Sequence, residues 1–239
     1  ETSHSLQPVG AANAIVNPRD QSKVISTSNL STLPDIEALR RRFQQMSALQ
    51  AVFTLENGPE GFEFHPDWDR GQQMGAFKNG SGDELFAHFT SAGCFLKGFA
   101  HESVMSPYRK ATPAHWPGLF TSVPREFESS LKEPAFDIPA TTFVVWRLTT
   151  DAHWLTDEIE FPDHEDADGS HSLLSRLMMT PLEFAEWLSE NYEVDVDADI
   201  VVEVFQNLPL TDVRLRGLNP RAATADMRSA VRGIGYALG

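Results

Sequence analysis

Four short apolar segments between residues 61 and 99, separated by turn-forming residues, constrain this chain more than any other feature. They cover residues 61–64, 74–77, 84–89 and 94–99, and Asn79-Gly80-Ser81-Gly82-Asp83 supplies one of the reversals. Segments of this length, rich in Phe and punctuated by Gly, Asn and Asp, predict short antiparallel strands. Residues 51–55 read as a further strand that reaches 61–64 through Asn57-Gly58-Pro59. Residues 141–149, TTFVVWRLT, carry the densest β-branched and aromatic content and predict a strand at the centre of the sheet. Trp154 and Ile159 suggest one more strand. Residues 101–118 contain three prolines and little periodicity, which predicts a long loop.

Helical spacing flanks this strand-rich middle. Ile36, Leu39, Phe43, Met46 and Leu49 recur at intervals of three and four, predicting a helix over 34–51 capped by Ser31 or Thr32. Its polar side carries Arg40, Arg41 and Arg42, read as a solvated face. Residues 124–131 resemble a short helix. Thr180-Pro181-Leu182-Glu183 combines a capping threonine, a first-turn proline and a capping-box glutamate. The acidic residues around 199–208 favour helix despite its β-prone composition. Thr211 or Asp212 starts another helix that ends at Asn219-Pro220, and Thr224 caps a last one ended by Gly233 and Gly235.

The expected fold class is therefore α+β: a mainly antiparallel sheet with an N-terminal helix and a helical C-terminal region packed against it. Residues 1–30 are expected to be a flexible N-terminal segment and 31–239 one α+β domain. Charge and periodicity both change near 163–180, which allows a helical subdomain at 180–239. About 60 residues bury little core alone, so docking onto the sheet is favoured.

The 239 residues are 41% hydrophobic and include 16 Phe, enough for a substantial core. No apolar run approaches 18 residues, and the first 30 residues carry no signal-peptide h-region. Cys94 is the only cysteine, so an internal disulfide is excluded and a cytoplasmic location is expected. Cys94 lies in an apolar strand and reads as a buried, inert thiol.

The net charge of −15 is concentrated. Residues 151–203 hold 16 acidic groups and one Arg, whereas 204–239 hold two acidic groups and five Arg. Such a block repels nucleic-acid phosphates and anionic lipid, so neither nucleic acid nor membrane is an expected partner. It attracts basic protein surfaces. The expected function is a non-enzymatic protein-binding or regulatory module that engages a basic partner through 151–203. Trp116, Asp195, Asp197 and Asp199 are the candidate contacts.

The alternative is a hydrolase or metal-dependent enzyme with histidines and carboxylates in a cleft at the sheet edge. His101 and Glu102 enter the long loop, and His153 and Asp157 are four residues apart. No G-x-S-x-G nucleophile motif accompanies them. The segment from Asp163 to His171 offers His164, Asp166, Asp168 and His171 as oxygen and imidazole donors for a divalent metal. With Gly169 in sixth position, His164 and Ser175 occupy the first and twelfth positions of a calcium loop, and both depart from the EF-hand pattern. No cofactor is expected: Gly80-x-Gly82 lacks the remaining residues of a phosphate-binding loop. A structural or small-ligand-binding domain is the third class, because some of the central aromatics can line a cleft.

Overall fold

The computed structural model describes residues 24–54 and 60–239. Five strands form one antiparallel sheet in sequential order: β1 (Gly61–Asp69), β2 (Gln72–Lys78), β3 (Glu84–Phe89), β4 (Gly93–Phe99) and β5 (Phe143–Leu148). Seven α-helices accompany them among the described residues. They are α1 (Ile36–Thr54), α2 (Glu128–Leu131), α3 (Ser170–Arg176), α4 (Pro181–Tyr192), α5 (Ala198–Phe205), α6 (Asp212–Leu218) and α7 (Thr224–Gly233). The α+β class with an antiparallel sheet is thus observed, and the N-terminal and C-terminal helices pack on that sheet.

Period-two alternation gives the sheet two chemically different faces. Phe62, Phe64, Phe77, Leu85, Ala87, Phe89, Cys94, Leu96, Phe143 and Val145 point to the helical side, where they share one hydrophobic cluster with α1 and α3–α7. Phe43 of α1 lies directly over Gly75 of β2; a Cβ built at Gly75 would stand 2.6 Å from the Phe43 ring. Gln50 then ties the helix to β1: its Oε1 accepts from the Phe62 amide at 2.7 Å and its Nε2 donates to the Glu60 carbonyl at 3.0 Å.

The opposite face is covered by the excursion between β4 and β5, residues 100–142. Phe136 packs on Met74, Ala76 and Phe86, and Phe127 packs beside Phe95, Val144 and Trp146. The loop expected over 101–118 is the first half of this cover. The short helix expected over 124–131 is present as a 3-10 turn, Arg125–Phe127, continued by α2.

Several local expectations change. Residues 51–54 are the last turn of α1, not a strand, because Val52 and Phe53 continue the stripe of Met46 and Leu49. The turn expected at Asn57-Gly58-Pro59 lies outside the described residues. Asp35, not Ser31 or Thr32, accepts from the Ala38 amide at 2.7 Å at the start of α1. β5 is at the sheet edge, not its centre. Its apolar content is explained by cover rather than position. Trp146 and Leu155 exchange two 2.8 Å backbone hydrogen bonds, and the Thr156 hydroxyl donates to the Val144 carbonyl at 2.6 Å. The only β-pairing near the strand expected at Trp154–Ile159 is this bridge at Leu155. Thr224 is the first helical residue of α7 rather than its cap.

Other signals map directly. Thr180 and Glu183 form the reciprocal capping box of α4, and the Thr211 hydroxyl accepts from the Arg214 amide at 3.3 Å. Residues 1–23 lie outside the described residues. Beyond them the chain is pinned: Ile25 is buried and Thr27 bonds Asp168 and Ser170. Arg40 and Arg41 pair with exposed Glu37, whereas Arg42 turns inward and donates to the Leu177 and Met179 carbonyls. Among the described residues no helix is long and apolar enough to cross a membrane.

Candidate functional sites

The acidic segment divides into carboxylates that build the fold and carboxylates that face outward. Asp157 is buried and accepts from the Phe120 and Ser122 amides at 2.8 and 2.7 Å, fastening the excursion. Asp166, itself in the left-handed region (φ 47°), accepts from the His171 and Ser172 amides and caps α3. Asp168 is buried and accepts from the Thr27 hydroxyl at 2.5 Å and the Ser170 amide at 2.9 Å. Burial raises its pKa, opposed by these hydrogen bonds. Asp197 caps α5 through the Asp199 and Ile200 amides.

Of the outward-facing carboxylates, those between residues 186 and 199 form a ribbon along α4 and the link to α5. Leu182, Glu186 and Glu190 are spaced four apart and share one exposed side of α4. From Tyr192 to Asp199 the link alternates: Glu193, Asp195, Asp197 and Asp199 are exposed, whereas Val196 is buried. Glu186, Glu190, Glu193, Asp195 and Asp199 make no side-chain hydrogen bond or ion pair among the described residues. Leu182 is 62% exposed at the head of this ribbon.

The residues expected to act chemically are dispersed. His101 Nδ1 lies 3.1 Å from Glu102 Oε1, and both side chains are exposed at the start of the excursion. His153 is exposed on a turn, while Asp157 gives both oxygens to backbone amides. Among the described residues no hydrogen bond or ion pair joins these two pairs. His164 Nδ1 sits 2.6 Å from the Glu165 carbonyl and His171 Nδ1 sits 3.0 Å from the Ile25 carbonyl. Among the described residues no group of three or more His, Cys, Asp or Glu side chains is arranged to hold a metal. Trp116 is half-buried, donating from Nε1 to the Glu160 carbonyl at 2.9 Å with Lys110 Nζ over its ring. Cys94 is fully buried on the helical side, and desolvation raises its thiol well above the ordinary range.

Two further residues did not stand out in the sequence. His88 of β3 and Lys97 of β4 are buried on the covered face, and neither His88 Nε2 nor Lys97 Nζ has a hydrogen-bond partner among the described residues. His88 Nδ1 meets the Ser130 hydroxyl at 2.9 Å, and burial holds the imidazole below its ordinary pKa. Lys97 Nζ lies 5.4 Å from the Phe86 ring centroid and 5.7 Å from that of Phe99. Burial lowers its pKa to about 8, although Glu84 and Asp137 pull the other way. The available signal was alternation: in ELFAHF and GCFLKGF, His88 and Lys97 share a face with Phe86, Phe95 and Phe99.

No known protein family, curated protein or solved structure matches this chain.

Proposed function

We propose that the protein is a non-enzymatic binding module that engages a basic protein partner through the acidic ribbon of α4 and the 193–199 link. The observation that carries this reading is the row of exposed carboxylates at 186, 190, 193, 195 and 199, which have no counter-charge among the described residues. Such a row raises the local concentration of cationic partners and speeds their encounter. Leu182 supplies an exposed apolar contact beside the charges, and interfaces need such desolvated anchors for affinity. Lysine or arginine side chains flanking an apolar residue on the partner would match this arrangement.

The test is titration of the full chain with Lys-rich peptides that carry or lack a central Leu, at low and moderate salt. Changing Asp195, Asp197 and Asp199 together to Asn keeps the α5 cap, since Asn also caps, and removes three charges. Affinity for the basic peptide should fall about tenfold or more, at roughly 1 kcal/mol for each close charge pair in water. Leu182→Ala should weaken the Leu-bearing peptide selectively. Equal affinity of the wild-type and triple-Asn chains removes the ribbon from the function.

A further inference from the structure

The acidic ribbon makes no use of the one ammonium group buried on the covered sheet face. Lys97 is among the largest fully buried side chains. Its cross-strand neighbours are Phe86 on β3 and Val144 on β5, and the next β3–β4 pair on the same face is Glu84 with Phe99. Nζ therefore rests in an aromatic corner formed by Phe86 and Phe99, with no acceptor for its protons among the described residues. Packing alone does not call for this arrangement: a neutral side chain of similar length fills the same corner without the cost of desolvating a charge.

We propose that Lys97 is a reactive amine that condenses with a small aldehyde or ketone to form a protonated imine between Phe86 and Phe99. The electrostatics favour a carbonyl over an anionic ligand. Glu84 and Asp137 already act on Nζ as counter-charges, so an added anion meets their repulsion while a carbonyl brings no charge. In the condensation the neutral amine gives its electron pair to the carbonyl carbon, and the carbon–oxygen π pair becomes a hydroxyl. The nitrogen pair then closes the C=N bond as that hydroxyl leaves with a proton as water. One ammonium and one carbonyl yield one iminium and one water, so the charge facing Glu84 and Asp137 is unchanged. Desolvation that lowers the lysine pKa enlarges the neutral, nucleophilic fraction. Lys97 is fully buried in the folded chain, so a small carbonyl compound reaches Nζ when the cover over Phe86 and Phe99 opens.

The experiment treats the folded full chain with butanal and cyanoborohydride at pH 7 and follows each lysine by peptide mass spectrometry. Lys97 should be alkylated about tenfold faster than exposed Lys110 and Lys132, because the gain in neutral amine outweighs slower entry. In urea that preference should vanish, and Lys97→Met should leave only the background at the other lysines. A Lys97 rate no greater than that of Lys110 in the folded chain overturns the proposal. So does a rise in melting temperature with acetate or inorganic phosphate that Lys97→Met abolishes, which would assign an oxyanion site instead. The labelling readout needs only the wild-type chain, so a variant that fails to fold does not blunt it.

Discussion

At the scale of single residues, Lys97 has a measurable signature. Its pKa falls from 10.5 to about 8 on folding, a difference of about 3 kcal/mol. The unfolded chain therefore binds more protons than the folded one between about pH 8 and 10.5, and stability contributed by this group rises with pH across that window. The penalty is fully present below pH 8. Lys97→Met should raise the urea midpoint at pH 7 and flatten the rise between pH 8 and 10. A wild-type rise that survives in the variant would place its origin elsewhere. Reading the sequence placed Lys97 in a strand but could not show its burial, because alternation assigns residues to a face without saying what covers it. The cover comes from the excursion, through contacts such as Phe136 on Phe86 that have no local sequence mark. The acidic candidates show the same limit. Asp157, Asp166, Asp168 and Asp197 look like their exposed neighbours in the sequence, yet fold-specific amides take up their oxygens.

At the scale of elements, the contact between α1 and β2 depends on a missing side chain. Gly75 gives Phe43 room against the sheet, and Phe43 in turn meets Phe62 and Phe89 edge-on at 6.4 and 6.2 Å. Gly75→Ala should destabilise the protein by about 1–3 kcal/mol, since the ring must shift within a packed core. Chemical denaturation measures this, and pairing it with Phe43→Leu should recover part of the loss. Recovery of nothing would show that the damage lies in the strand and not at the ring. Helix ends with strong chemistry were legible: the Thr180–Glu183 box and the Thr211 cap stand where their residues indicate. The end of α1 was not, because AVFT has β-prone composition while Val52 and Phe53 continue a helical stripe. Tertiary burial decided the conformation there. The same competition explains β5, whose residues have the composition of a central strand but obtain their cover from Leu155 and Thr156.

At the scale of the whole molecule, the sheet separates two environments. One side is a continuous apolar core shared with α1 and the C-terminal helices; the other carries ionisable groups under a long, irregular cover. The class followed from short-range signals, because β1 to β4 are joined by tight turns, whereas the edge position of β5 ran against its composition. The role of the excursion did not follow from them, since its contacts span distant parts of the chain. That excursion also has a consequence for how the sheet is assembled. β1 through β4 close through loops of a few residues, whereas β5 joins only after 43 residues return to the β4 edge. Closing the longer loop costs about 2 kcal/mol more in chain entropy than closing a hairpin turn. The β4–β5 ladder should therefore open more often than the β2–β3 ladder, and amide hydrogen exchange should find Val145 and Arg147 less protected than Phe77 and Ala87. Equal protection across the sheet would mean that the cover folds and unfolds with it. Every opening of that ladder also loosens the cover over Lys97, so the sheet's least stable seam lies beside its least accessible amine.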